Sequence, residues 1–176
     1  MQVREDVTVG YVVGSVGYTE ISDNMITSIG GVHVTYTLTP LTTDVIEGVF
    51  DIDRNTGSLV VARKLDRETQ GEYRLEVRAL DTSALNNPQS SAVMIKVEVI
   101  DINDNPPKWP QDPISIQMSE DTPVGLVVYN FSATDVDLGP NGEIHYKIFK
   151  QIPAEPETFS IDPLTGALTL AVPIDY

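Results

Sequence analysis

The run from Asp101 to Pro107, Asp-Ile-Asn-Asp-Asn-Pro-Pro, puts two aspartates and two asparagines into five residues and then bars a helix with two prolines. Four further acidic groups stand elsewhere: Glu5, the Asp66-Arg67-Glu68 triplet, Asp81, and Asp135 with Asp137 followed by a Gly-Pro-Asn-Gly that contributes Asn141. All offer hard oxygen donors. Calcium takes roughly six to eight oxygens from carboxylates, amide side chains and backbone carbonyls, and it tolerates irregular geometry; magnesium demands a stricter octahedron. Soft or imidazole sites are poorly supplied, because there is no cysteine and only His33 and His145. The chain carries 26 acidic against 11 basic side chains, a net charge of -15. That balance disfavours nucleic acid and anionic membrane partners. Acids gathered around a joint repel unless cations neutralise them. The physical reading is a hinge that holds several calcium ions.

The elements that position these acids are strands. Segments 58–65, 72–80 and 91–100 alternate apolar and polar residues and are rich in β-branched side chains. In 72–80, Tyr73, Leu75, Val77 and Ala79 share one face, while Arg74, Glu76 and Arg78 take the other. Such a strand is antiparallel and half buried. No segment sustains a period of 3.6, so the expected class is all-β with short strands at sandwich spacing. Hydrophobic content of 41% suffices for a packed core. No stretch approaches the roughly 18 apolar residues of a membrane span, and no signal peptide is visible. Met1 is expected to begin an excised or processed piece.

The chain also repeats itself. Residues 4–13 recur as 119–128, with Glu5 and Glu120 lying 115 residues apart. Residues 50–67 recur as 159–176, with Phe50 and Phe159 lying 109 apart, so the first copy carries a net six extra residues between these landmarks. Both copies hold a Thr-Gly turn whose Gly57 and Gly166 supply the positive φ required there. The second copy is expected to be truncated: it stops just past the counterpart of Asp66 and lacks about its last third, which corresponds to two strands.

Taken together, Glu5, the Leu-Asp-Arg-Glu of 65–68, the Ala-Leu-Asp ending at Asp81, Asp101–Pro107, the Asp135–Asn141 segment and the 50–59 turn resemble the calcium-binding signature of cadherin extracellular repeats. The resemblance implies tandem Greek-key immunoglobulin-like β-sandwiches: one repeat over 1–100, a calcium-binding linker over 101–107, and an incomplete repeat over 108–176. It implies two to three Ca2+ ions at the linker. The site nearest the first repeat would take Glu5, Asp66, Glu68 and Asp104. A middle site would share Glu5, Glu68 and Asp104 and add Asp101, the Ile102 carbonyl and Asp137. A third would use Asn103, Asp135 and Asp137 with the Asn105 and Asn141 carbonyls, and it lacks a counterpart of Asp81. The implied role is calcium-dependent cell–cell adhesion or mechanical linkage, in the extracellular part of a single-pass plasma-membrane protein. The partner would be another cadherin-family ectodomain, homophilic or heterophilic, with no direct membrane contact by these residues. A receptor ectodomain that binds a heterophilic ligand for signalling is the alternative. The Asp-Arg-Glu-Thr and Asp-Leu-Gly-Pro-Asn-Gly-Glu-Ile stretches resemble Fat/Dachsous-type cadherins or protocadherins more than classical ones. One departure stands out: Glu20 and Ser22 occupy the positions equivalent to Asp135 and Asp137. The first repeat therefore either begins an ectodomain or follows a linker that binds little calcium.

Catalysis finds no support. Asp66 and Glu68 could in principle pair as acid and base, yet no Ser/His/Asp or Cys/His set and no phosphate-cradling loop accompanies them. Trp109 is expected in the core of the second repeat, and His33 and His145 on strands. Asp53 and Asp162 should shape the Thr-Gly turns through Asx-type bonds. Asn130-Phe-Ser132 is an N-glycosylation sequon, with Phe131 and Ala133 expected inward and Asn130 outward. Segments 16–34 and 41–48 are candidate partner surfaces. No Arg-Gly-Asp triplet occurs.

Overall fold

The computed structural model describes residues 1–16, 34–41, 48–81, 89–152 and 156–175. Glu20, Ser22, His33 and most of the two candidate partner segments lie outside the described residues. Contacts divide the chain into two compact units, Met1–Ile102 and Asn103–Tyr176.

Unit 1 is a β-sandwich. Its strands are β1 (Gln2–Arg4), β2 (Val12–Ser15), β3 (Val34–Pro40), β4 (Phe50–Ile52), β5 (Ser58–Val61), β6 (Glu72–Asp81) and β7 (Gln89–Ile100). One sheet runs β1-β7-β6-β3 and the other β2-β5-β4. The alternation read in 72–80 holds: Tyr73, Leu75 and Val77 are buried, while Arg74 and Arg78 face solvent. From the other sheet come Phe50, Ile52, Leu59 and Val61, which complete a single core. Phe50 meets Tyr73 edge to face across the two layers, with centroids 5.1 Å apart. Each such buried side chain contributes about 1.5–3 kcal/mol over exposure. β1 pairs in parallel with β7, setting Val3 opposite Val99, and so brings the first residues beside the last of the unit.

The strand expected over 58–65 stops at Val61. Ala62 and Arg63 both donate to the Val49 carbonyl, at 2.7 and 3.3 Å, and this doubling ends the regular ladder. Leu65 then returns to the core, 1% exposed, and delivers Asp66–Glu68 to the end of the sandwich.

The repeated turn has the expected anatomy in both units. Gly57 and Gly166 each adopt φ 69°. Asp53 Oδ1 accepts from the Asn55 and Thr56 amides at 2.9 and 2.8 Å, and Asp162 Oδ1 accepts from Leu164 and Thr165 at 3.0 and 2.7 Å. These N–H groups, Thr56 and Thr165 foremost, hold both carboxyls below the usual aspartate range.

Unit 2 has β8 (Val127–Asn130), β9 (Phe159–Ile161) and β10 (Ala167–Leu170), ordered β8-β10-β9, and a 3-10 turn over Gly139–Gly142. No α-helix occurs among the described residues. His145, expected on a strand, lies instead in a segment with no assigned strand; its exposed ring sits 3.4 Å from Glu143 Oε1. The reason is a missing ladder. Tyr146 donates to the Pro163 carbonyl just as Tyr36 of β3 donates to Arg54, at 2.8 and 2.9 Å. β3 also pairs with β6 along its whole length. Among the described residues, no segment offers 144–150 an equivalent of β6. Trp109 packs against Phe131 and Tyr146, at 5.8 and 6.0 Å between centroids, but remains 49% exposed rather than sealed in a core. Together with Ile144, Phe159 and Leu168, these rings line an open apolar cavity of about 800 Å3.

Candidate metal centre

In unit 1 the acids gather around one buried carboxylate. Glu5 follows β1 directly and is 2% exposed. Its Oε2 accepts from the Arg67 amide at 2.8 Å and its Oε1 from the Ile102 amide at 2.9 Å. Both oxygens are thus satisfied by main-chain donors, and one side chain ties the 66–68 turn to the exit of β7. Carboxylate oxygens of Glu5 and Glu68 come within 4.8 Å of each other, as do those of Glu68 and Asp101. Burial, assisted by the Glu5 charge, raises the Glu68 carboxyl above its usual range despite its bonds to the backbone and Arg67. Asp66 behaves oppositely. Its Oδ2 accepts the Thr69 hydroxyl at 2.9 Å and its Oδ1 the Thr69 amide at 3.2 Å, and the hydroxyl is the main cause that lowers it.

Arg67 is the residue that sequence reasoning passed over. Its guanidinium forms ion pairs with both Glu68 and Asp101, and all three side chains are largely shielded from solvent. Desolvation works against the cation, yet the Glu68 and Asp101 partners outweigh it and hold Arg67 above its ordinary value. The available signal was a cation placed between two expected ligands.

Unit 2 collects the remaining donors. Asn105 donates from its backbone to Asp137 Oδ2 at 3.3 Å and from its side chain to Asp137 Oδ1 and Asp104 Oδ1, both at 2.9 Å. Asp135 Oδ1 accepts the Asp137 amide at 3.0 Å, and Asn103 Nδ2 donates to the Asn141 carbonyl at 3.2 Å. A bridge between Lys108 and Thr134 holds the two segments together just behind the acids. Gly142 is required for close approach: a Cβ there would stand 2.3 Å from the Asp137 carbonyl oxygen. Gly139, at φ 56°, opens the same turn.

Within unit 1 the structure therefore brings together Glu5, Glu68 and Asp101, with Asp66 and Ile102 adjoining them. Within unit 2 it brings together Asn103, Asp104, Asn105, Asp135, Asp137 and Asn141. Both sets consist of oxygen donors from carboxylates, amides and carbonyls, with no sulfur or imidazole. That chemistry fits a hard divalent cation, calcium above magnesium, given the irregular spacing.

The cadherin domain family matches residues 1–100 and 114–176. Protein dachsous of Drosophila melanogaster is 52% identical over 187 residues, which cover 99% of this chain and 5% of that protein. Protocadherin Fat 4 of Mus musculus is 35% identical over 175 residues, covering 99% of this chain and 3% of its own length. The chain thus spans a small fraction of the curated relatives it matches. Among solved structures, mouse cadherin-23 EC22-24 superposes with TM-score 0.79 at 30% identity, over 99% of this chain and 52% of that one. Human protocadherin-24 EC1-2 gives TM-score 0.77 at 26% identity, over 100% and 74%. With a match along nearly its whole length, and the repeated turns and acid motifs in register, the chain is a member of the cadherin family.

Proposed function

We propose that this pair of repeats is a calcium-stiffened element of an adhesive or mechanically linking ectodomain. Cadherin domains are adhesion modules rather than enzymes, and among the described residues the Asp66–Glu68 pair has no catalytic company. The observation that carries the reading is the unit 1 cluster, where Glu68 stands within 4.8 Å of acids on either side and is raised by burial. Such a group gains most from a bound cation.

In this reading 101–107 is the joint between repeats 1–100 and 108–176. Glu5, Asp66, Glu68 and Asp101, with the Ile102 carbonyl, supply the ligands of the first repeat. Asn103, Asp104, Asp135 and Asp137, with the Asn105 and Asn141 carbonyls, supply the others. Two to three calcium ions would neutralise the acids and oppose bending. The partner would be another cadherin-family ectodomain, and the location the outer face of the plasma membrane; no helix among the described residues is long and apolar enough to cross a membrane.

Thermal melting with calcium, with magnesium, and with chelator tests the proposal. A ligand of the native state stabilises it by about 2.7 kcal/mol at a hundredfold excess over Kd. Coincident melts in calcium and chelator would remove the calcium reading. Aggregation of beads coated with the full ectodomain separates adhesion from heterophilic reception.

A further inference from the structure

The sequon at Asn130 is left unused by the metal chemistry, and the structure gives its residues a definite arrangement. Asn130 is the last residue of β8 and pairs with Ala167 of β10. The chain continues extended beyond it. Phe131 donates its amide to the Gly166 carbonyl at 2.9 Å, the Ala133 amide bonds the Tyr146 hydroxyl at 3.1 Å, and Thr134 bridges to Lys108. Alternation then sorts the side chains. Tyr129, Phe131 and Ala133 turn inward, where Phe131 meets both Tyr129 and Trp109 edge to face, at 4.9 and 5.8 Å. Asn130, Ser132 and Thr134 are exposed on the other face.

The Asn130 amide and the Ser132 hydroxyl therefore project to the same solvent side, held in register by lateral main-chain bonds to neighbouring segments. Among the described residues the Asn130 side chain engages no hydrogen-bond partner. A large polar adduct at this position displaces nothing from the aromatic cluster. It is also the only Asn-x-Ser/Thr triplet in the 176 residues. The equivalent positions of the first repeat, 115 residues earlier, are Ser15, Val16 and Gly17, so the acceptor belongs to one repeat alone.

We propose that Asn130 is an N-glycosylation site and that the outward face at the end of β8 carries an oligosaccharide. The inference rests on the extracellular part of the functional reading, because the donor is met only in the secretory pathway. The side-chain nitrogen of Asn130 bonds to the anomeric carbon of a polyprenyl-pyrophosphate oligosaccharide. The bond from that carbon to the pyrophosphate oxygen breaks, the lipid pyrophosphate leaves with the electron pair, and the amide gives up one proton. No oxidant or reductant takes part. A glycosylated face is unavailable for tight protein contact, so any adhesive surface of this unit must lie elsewhere.

The test secretes the whole chain from a eukaryotic cell line behind a cleavable leader. Its mass is then measured before and after amidase deglycosylation in heavy-oxygen water. The expected result is a single glycan released with conversion of residue 130 to labelled aspartate, lost in both Asn130→Gln and Ser132→Ala and retained in Ser132→Thr. Secreted, folded protein with unlabelled Asn130 overturns the proposal, as does a glycan that survives Asn130→Gln. The same preparations are melted in calcium and in chelator. An occupied Asn130 with no calcium dependence removes the functional reading and leaves the site; a calcium-dependent chain without glycan does the reverse.

Discussion

The donors of the two units are held in different ways. In unit 1 the main chain holds the central acid: Glu5 is buried and takes one backbone N–H on each oxygen. A resident cation, Arg67, already faces Glu68 and Asp101. In unit 2 one neutral residue does much of the holding: Asn105 gives Asp137 both its backbone and side-chain amide, and its side chain also reaches Asp104. The first set is fixed by the fold and partly neutralised within itself. The second is fixed by amide donors that leave its formal charge in place. Position and charge compensation are thus separable duties, and the two halves distribute them differently.

Glu5→Ala should show the largest effect. It strands two backbone donors, each worth about 1–3 kcal/mol when left unsatisfied, so about 2–6 kcal/mol should be lost in chelator, and more in calcium, where a proposed ligand goes with them. For a domain of this size each kcal/mol lowers Tm by roughly 4–8 °C. A loss under about 1 kcal/mol would deny Glu5 its central place in unit 1.

Arg67→Gln comes next. Breaking a shielded pair should cost about 1–3 kcal/mol in chelator and less in saturating calcium, where the ions supply the charge. Equal losses in both conditions would deny Arg67 its counter-ion role. For Gly142→Ala the added Cβ meets the Asp137 carbonyl, and a loss of about 1–3 kcal/mol confined to unit 2 is expected. Hydrogen exchange in the two units would locate it. Asp104→Ala is the smallest in chelator, within about 0.5 kcal/mol of the parent, because Asp104 is exposed. Its calcium-induced gain should nonetheless fall, by about 1.4 kcal/mol for each tenfold loss of affinity. Calcium titration checks this, and unchanged affinity would overturn the ligand assignment.

pH sharpens the comparison inside unit 1. Glu68 is raised, so its contribution is full below the ordinary glutamate range and is lost as pH rises through the raised value. At neutral pH without cation its charge works against the fold. Glu68→Gln should therefore melt higher than the parent in chelator at neutral pH, with the gap closing as pH falls through the raised value, and lower than the parent in calcium. Asp66 is lowered, so its contribution is present above the ordinary aspartate range and fades as pH falls through the lowered value. Thr69→Ala should therefore lower stability in the neutral range, with the gap to the parent closing as pH falls through the lowered value.

Much of the architecture was legible because local rules and tertiary context agree. The Thr-Gly turns declared themselves through Asp53 and Asp162 and through glycines that must take positive φ. β6 declared itself by strict alternation. Segment 144–150 did not, because a strand is a property of a pair: Tyr146 reproduces the bond made by Tyr36, but the long partner that β6 gives β3 has no counterpart among the described residues. Trp109 is more exposed than expected for the same reason: Phe131 and Tyr146 pack against it, but among the described residues no strand covers it. At the acid centre, residue types pointed to candidate donors. They could not show that Glu5 spends both oxygens on the backbone, which depends on contacts 62 and 97 residues away in sequence.

Those two separations also bear on biosynthesis. The Glu5 carboxylate finds its partners only after residues 67 and 102 have arrived, and β1 finds its place only once β7 exists. Closing loops of that length is slow compared with local turns. The acid cluster of unit 1 is complete only once β1 and β7 have met. Under the proposed calcium reading, a bound cation would reward only chains whose topology is already correct.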